Sequence, residues 1–205
     1  MGHAVSGIGR LADGRGRAAI FERGVIYHTA TTGARGLWGD LFDAYLGFGG
    51  PTAAGYPTTE PTAVGDGRGT MFEAERAHGY ATPTTGARIV PEPILAAYLL
   101  AGGPGGTYGY PTGDVVHSAG RTEATQTFEG GTISVTSPHV AFVEAAHEDF
   151  LGRPPSQAEL EARVGALEVG SATRASFVRE LATSEEYVSR LVQRFYRDTL
   201  GREGR

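Results

Sequence analysis

The feature that most constrains this chain is that it repeats itself. Thr31-Thr32-Gly33-Ala34-Arg35 returns as Thr84-Thr85-Gly86-Ala87-Arg88, Gly49-Gly50-Pro51 as Gly102-Gly103-Pro104, and Gly55-Tyr56-Pro57-Thr58 as Gly109-Tyr110-Pro111-Thr112. Several separate motifs hold one period to within a residue, from 33 to 86, 50 to 103 and 56 to 110. Such a period means one supersecondary unit that buries its apolar side against its neighbours. Asp13-Gly14-Arg15-Gly16 returns as Asp66-Gly67-Arg68-Gly69, and Phe21-Glu22 returns as Phe72-Glu73 and again as Phe128-Glu129. A third copy therefore opens at Phe128 and breaks off near Pro138. Residues 1–14 read as the tail of an earlier copy, with Gly7-Ile8-Gly9-Arg10 a poor match.

Composition divides the chain. Of 32 Gly and 11 Pro, 27 and 9 lie in residues 1–139. The remainder is richer in Glu, Leu and Val, so a boundary is expected at Ser137 to Val140, giving domains 1–139 and 140–205. A net charge of −5 argues against nucleic acid, which calls for a basic stripe. The chain has no Cys, which removes disulfides and thiolate metal sites. No apolar run is long enough to span a membrane, and no leader peptide opens the chain. The chain starts inside one repeat and stops inside another motif, so it reads as a piece of a longer protein whose leader lies elsewhere. Lys is absent, so the side-chain cations other than His are Arg, planar forks suited to stacking and bidentate acceptors.

Each repeat reads as strand, turn, short helix, turn. Ala18–Phe21 and Gly24–His28 form a hairpin about Glu22-Arg23. A helical stripe runs over Leu37–Leu46 through positions 38, 41, 42, 45 and 46. Pro91 and Pro93 open the matching helix of the second copy, and the Gly-Gly pairs end both helices in a left-handed cap. The last third is helical. Ser156 with Glu159 fits a capping box, Thr173 and Ser184 fit N-caps, and Gly170 fits a stop. A motif recurs here too: Phe150-Leu151-Gly152-Arg153 against Thr199-Leu200-Gly201-Arg202. The expected fold is α+β, tandem small repeats of β-hairpin plus short helix, followed by an all-α domain.

At Gly-Tyr-Pro-Thr the chain resembles the LGFP repeat family. The matching residues are Phe21–Tyr27, Thr32-Gly33-Ala34, Leu37–Leu46, Gly49-Gly50-Pro51 and Ala54–Thr58, and the resemblance covers residues 13–138. It departs where the family's helix Trp is Tyr45 or Tyr98, and where Ser134-Val135 replaces Tyr-Trp in the third copy. Residues 140–205 resemble a helical surface-protein domain of unknown function through Phe150–Arg153, Ser184-Glu185-Glu186-Tyr187 and Tyr196–Arg202. The resemblance implies an extracellular, cell-wall-associated protein of actinobacteria. It implies a non-catalytic module that tethers a larger secreted protein to wall polysaccharide such as arabinogalactan or peptidoglycan. The alternatives are a structural module of a surface layer, and an accessory part of a wall-modifying enzyme.

No nucleophile elbow, zincin, phosphate-loop or EF-hand pattern is present. No enzyme activity, cofactor or metal is expected, and Gly7–Ala12, which matches G-x-G-x-x-A, reads as a loop. The six His lack metal spacing, and His147 reads as a satisfied core residue. Asp13 and Asp66 suit turns better than cations. Tyr27, Tyr80, Arg35 and Arg88 fit either a sugar-stacking surface or the repeat core, and Trp38 either a site or a local core. Tyr56, Pro57, Tyr110 and Pro111 read as packing between repeats. Arg153 and Arg202 read as structural, bonding the last carbonyls of the helix that the preceding Gly ends. The apolar stripe of the final helix, with Phe195, Tyr196 and Leu200, is expected to self-associate.

Overall fold

The computed structural model describes residues 1–72 and 76–201, with the side chain of Leu200 left out. The fold is α+β. The first repeat comprises β1 (Gly9–Arg10), β2 (Arg17–Phe21), β3 (Gly24–Thr29) and β4 (Gly33–Trp38), followed by α1 (Asp40–Phe48) and a short α2 (Gly50–Ala54). The second repeats this as β5 (Thr62–Val64), β6 (Gly67–Met71), β7 (Ala77–Thr82) and β8 (Gly86–Pro91), then α3 (Ile94–Leu100) and a 3₁₀ turn at Gly103–Gly105. Each sheet is a four-stranded antiparallel meander, ordered β1-β2-β3-β4 and β5-β6-β7-β8. A shortened third copy supplies β9 (Val116–His117), β10 (Glu123–Phe128) and β11 (Gly131–Thr136), in the order β11-β10-β9.

The expected hairpin is present, with Phe21 paired to Gly24 around Glu22-Arg23. The expected helix over Leu37–Leu46 is corrected: Leu37 and Trp38 belong to β4, and the helix starts at Asp40. Pro91 likewise ends β8 rather than opening a helix. Apolar spacing alone does not separate a strand's end from the helix that follows it, and β4 and β8 were hidden by their small residues. The loop expected at Gly7–Ala12 contains β1, whose Gly9 and Arg10 pair with Ala18 and Arg17.

The turn into β4 shows why Thr-Thr-Gly recurs. Thr29 Oγ1 lies 3.0 Å from Thr31 Oγ1 and 2.8 Å from Thr32 Oγ1, and Thr82 repeats both distances to Thr84 and Thr85. The turn then enters the next strand through Gly33 and Gly86 at φ 67° and 71°, a left-handed conformation that favours Gly. The first Gly-Gly pair acts as expected, with Gly49 a left-handed cap of α1 at φ 112°, whereas α3 ends on Ala101 and the left-handed Gly102, at φ 97°, follows it and opens the 3₁₀ turn.

Aromatic rings join one repeat to the next. Phe72 stacks on Tyr45 with centroids 4.9 Å apart, and Phe128 stacks on Tyr98 at 4.7 Å. The hydroxyl of Tyr45 donates to the Gly55 carbonyl (2.8 Å) and that of Tyr98 to the Gly109 carbonyl (2.6 Å). Isolated bridges pair Pro57 with Phe72 and Pro111 with Phe128, and the same bridge joins Ala4 to Phe21. Residues near Ala4 thus fill the slot that Gly-Tyr-Pro fills later. The core is continuous across the junction: Leu37, Leu41, Tyr45 and Tyr56 of the first repeat pack with Phe72, Ala77 and Ile89 of the second.

The chain forms two compact units, residues 1–116 with 125–135, and residues 117–124 with 136–205. Composition changes near 139, whereas contacts assign 117–124 to the helical unit. The reason is local: Gly120 sits against α5 (Gln157–Glu168) so closely that a Cβ there would lie 2.4 Å from the Cα of Glu161.

The helical unit contains α4 (Pro138–Leu151), α5, α6 (Arg174–Ala182) and α7 (Glu185–Leu200). Ser156 and Glu159 form a capping box, and Thr173 and Ser184 cap α6 and α7. Val143, Leu151, Val164, Phe177 and Leu181 form its core. His147 is buried there, its Nδ1 3.0 Å from the Val143 carbonyl. The role expected for Arg153 changes partners. Its guanidinium holds Glu159 (2.9 and 3.0 Å) and Glu186 (2.7 and 2.9 Å), while Arg190 takes the Phe150 carbonyl at the end of α4 (2.8 Å). Arg202 lies outside the described residues.

Candidate functional site

Tyr27 on β3 faces Arg35 on β4, and Tyr80 on β7 faces Arg88 on β8. Direct cross-strand partners share a face of the sheet. That face is the core. Tyr27 and Tyr80 are each 5% exposed. Tyr27 meets Tyr45 and Tyr56 edge-on at 5.8 and 5.7 Å, and Tyr80 meets Tyr98 and Tyr110 at 5.6 and 6.5 Å. Their ring faces are occupied, so neither has a surface on which a sugar could stack. Burial raises the Tyr27 hydroxyl's pKa and, with the neighbouring Tyr110, pushes Tyr80 up to about 12.

Tyr56 and Tyr110 are buried and tie each repeat's end to its own beginning. Tyr56 donates to Asp13 Oδ2 (2.8 Å), while Asp13 Oδ1 accepts from the backbone of Arg15 (3.0 Å) and Gly16 (3.3 Å). Those bonds hold the Asp13 carboxyl below its ordinary range, the Tyr56 hydroxyl foremost. Tyr110 donates to the Val64 carbonyl and accepts from the Gly67 amide (3.0 Å). Both hydroxyls therefore close a repeat on itself, while the Tyr56 ring shares a core with Phe72 and Ala77 of the next repeat.

The remaining expected residues lie at two equivalent places. On the first repeat, Trp38 is half-buried and lines a groove of about 390 Å³ with Met1, Ile26, Ala34, Gly36 and Glu60. Arg35 does not line this groove, and its Nε is bonded to the Thr58 carbonyl (2.7 Å) and its Nη1 to the Ala34 carbonyl (3.0 Å). On the second repeat, a groove of about 310 Å³ opens at the junction of the repeats. Phe48 and Ala44 of α1 form one wall, Arg88 and Ile89 of β8 another, and Asp114 and Val115 the rim. Arg88 Nη1 bonds the Ala87 carbonyl (2.7 Å), but its Nε is buried, lies 3.6 Å from Asp114 and has no hydrogen-bond partner among the described residues.

Glu60 and Asp114 escaped the motif reading, although the signal was there. Two residues past the Gly-Tyr-Pro-Thr motif both copies carry a carboxylate, as Pro57-Thr58-Thr59-Glu60 and Pro111-Thr112-Gly113-Asp114. Phe48 could not be found the same way, because its counterpart in the second copy is Ala101.

The repeated geometry has a counterpart in known proteins. A family model described as LGFP repeat matches residues 1–52 and 55–106. The chain belongs to the LGFP repeat family. The match begins at residue 1, which takes in the stretch through Ala4 that bridges Phe21 as Pro57 bridges Phe72. LGFP repeats are associated with the cell envelope and with cell-surface proteins. No curated protein matches the chain. Among the described residues, no group of three or more His, Asp or Glu is placed to hold a metal ion, and no helix is long and apolar enough to cross a membrane.

Proposed function

We propose that this chain is a non-catalytic binding module that tethers a larger secreted protein to cell-wall polysaccharide, arabinogalactan or peptidoglycan. The observation that carries the reading is the pair of equivalent grooves. Each LGFP repeat presents an open, partly apolar depression beside its fourth strand, with a carboxylate on its rim: Trp38 with Glu60, then Arg88 with Asp114. Apolar surface beside a few fixed polar groups is what a saccharide needs, since a sugar ring has both C–H faces and hydroxyl edges. Tyr27 and Tyr80 support those walls from the core and do not touch ligand. Binding at each groove is weak, and strength comes from several repeats engaging one polymer.

The helical unit is a surface-protein interaction domain of the kind its Leu-Gly-Arg and Ser-Glu-Glu-Tyr motifs resemble. One observation favours assembly as a second role. α7 carries Val188, Leu191, Val192 and Phe195 at 41–62% exposure along one stripe, so self-association through this helix would add avidity to the tether. Co-sedimentation of the full chain with insoluble arabinogalactan and with peptidoglycan tests the tether. Retention on either polymer, released by the soluble polysaccharide, is expected. A folded chain that stays in the supernatant with both polymers sinks the proposal.

A further inference from the structure

We infer that the groove at the junction of the two repeats is a binding site for the vicinal diol of a neutral saccharide, with Arg88 as donor, Asp114 as acceptor and Phe48 as the apolar wall. The inference rests on the polysaccharide reading above and specifies its chemistry.

Three observations meet at this place. The first is the orphaned Arg88 Nε. A donor without a partner in a folded protein loses free energy, and elsewhere in this chain the same atom is satisfied: Arg35 Nε bonds the Thr58 carbonyl at 2.7 Å. The two arginines stand at the same point of the same motif, so the second copy leaves buried and unpaired, beside the groove, a donor that the first copy uses internally. The second is Asp114. Its side chain is 84% exposed against 33% for Arg88, and at 3.6 Å the two form a loose ion pair rather than a hydrogen bond. A hydroxyl that accepts from Arg88 while its neighbour donates to Asp114 completes both groups at once, which a lone alcohol cannot do. The third is the wall. Phe48, Ile89 and Ala44 offer carbon surface next to this polar pair, suited to the C–H side of the same ring. Asp114 also sets selectivity. A uronate or phosphate brought to Arg88 would meet the Asp114 carboxylate, and like charges at this range repel.

The site is built from both repeats. Phe48 comes from the helix of one and Arg88 from the edge strand of the next, so sites of this kind are counted by junctions between repeats.

The test uses the full chain, methyl α-D-mannopyranoside as the diol probe, its 2,3-di-O-methyl derivative as control, and methyl glucuronide as the anionic probe. NMR titration follows the Arg88 Nε–H signal, assigned through its loss in Arg88→Lys. The diol is expected to shift that signal and the di-O-methyl sugar to leave it unmoved. Asp114→Asn should weaken diol binding by about tenfold, the scale of one hydrogen bond to a charged group, and should admit the glucuronide. Phe48→Ala should weaken it as well, with circular dichroism unchanged in both variants. An unshifted Arg88 signal at saturating diol, or Asp114→Asn binding as wild type does, overturns the site. Retention on wall polymers with an Arg88 signal that no diol shifts overturns the site and leaves the tether standing. A diol shift at Arg88 with no retention on any wall polymer supports the site and overturns the tether.

Discussion

Tyrosine does most of the fixing in the repeats, and it does so as a neutral phenol. Tyr27 and Tyr80 are ringed by other aromatics, and Tyr98 spends its hydroxyl on a backbone carbonyl. Burial raises the pKa of Tyr27 and Tyr98 above the ordinary 10.0 and takes Tyr80 to about 12. A phenol whose folded pKa exceeds its unfolded value contributes stability that is complete below the unfolded pKa. That contribution falls as pH rises through the window between the two. The repeats are therefore expected to lose stability between pH 10 and about 12. Tyrosinate absorbance should rise together with the loss of β-sheet dichroism. Ionisation of all nine tyrosines about the ordinary 10.0 with the sheet intact would show that these hydroxyls are open to solvent.

Among elements, the stacked rings set how repeats add. Phe72 comes from one copy and Tyr45 from the one before, nearly parallel at 10°. Phe72 is 1% exposed. Phe72→Ala is expected to cost about 3–5 kcal/mol, the range for emptying an aromatic's place in a core. Denaturant unfolding measures it, and a loss under 1 kcal/mol would mean that the junction is held by other contacts. In the helical unit the corresponding clasp is polar. The Arg153 guanidinium holds Glu186 and Glu159 below their ordinary carboxyl range, and in Glu159 the Ser156 capping bonds add to this. A depressed carboxyl pKa contributes stability present above the unfolded value of about 4.5 and lost as pH falls through the folded one. Arg153→Ala should thus flatten the acid limb of helical unfolding below pH 4.5. The effect at neutral pH should be small, because Arg153 and Glu186 are more than a third exposed and solvent screens them.

For the molecule as a whole, the prominent unused surface is the outer stripe of α7, where Phe195 is 62% exposed. Exposed apolar stripes of this kind mark interaction sites. The full chain is expected to self-associate as concentration rises, and Leu191→Glu with Phe195→Glu to abolish this without loss of helix. Sedimentation velocity reads both. A wild-type chain that remains monomeric at high concentration removes self-association from the tethering account.

The sequence by itself determined the unit of construction. The period, the hairpins, the glycine caps, the helix caps of the C-terminal region and the α+β class follow from local rules, because turns, caps and alternation are decided by residues a few positions apart. Resemblance to LGFP repeats was legible for the same reason, since the family is carried by short motifs at turns. What the tertiary structure decided is which face each residue shows. Tyr27 and Trp38 look alike as sugar-stacking candidates in sequence, yet the first lies under Tyr45 and Tyr56 and the second at a groove's edge. Arg35 and Arg88 occupy the same motif position, yet one Nε is spent on Thr58 and the other is left without a partner among the described residues. Phe48 and Asp114, far apart along the chain, come to one groove because the helix of the first repeat packs on the second, with Leu41 and Tyr45 in one core with Phe72 and Ile89. Such meetings depend on long-range packing, which no local pattern encodes.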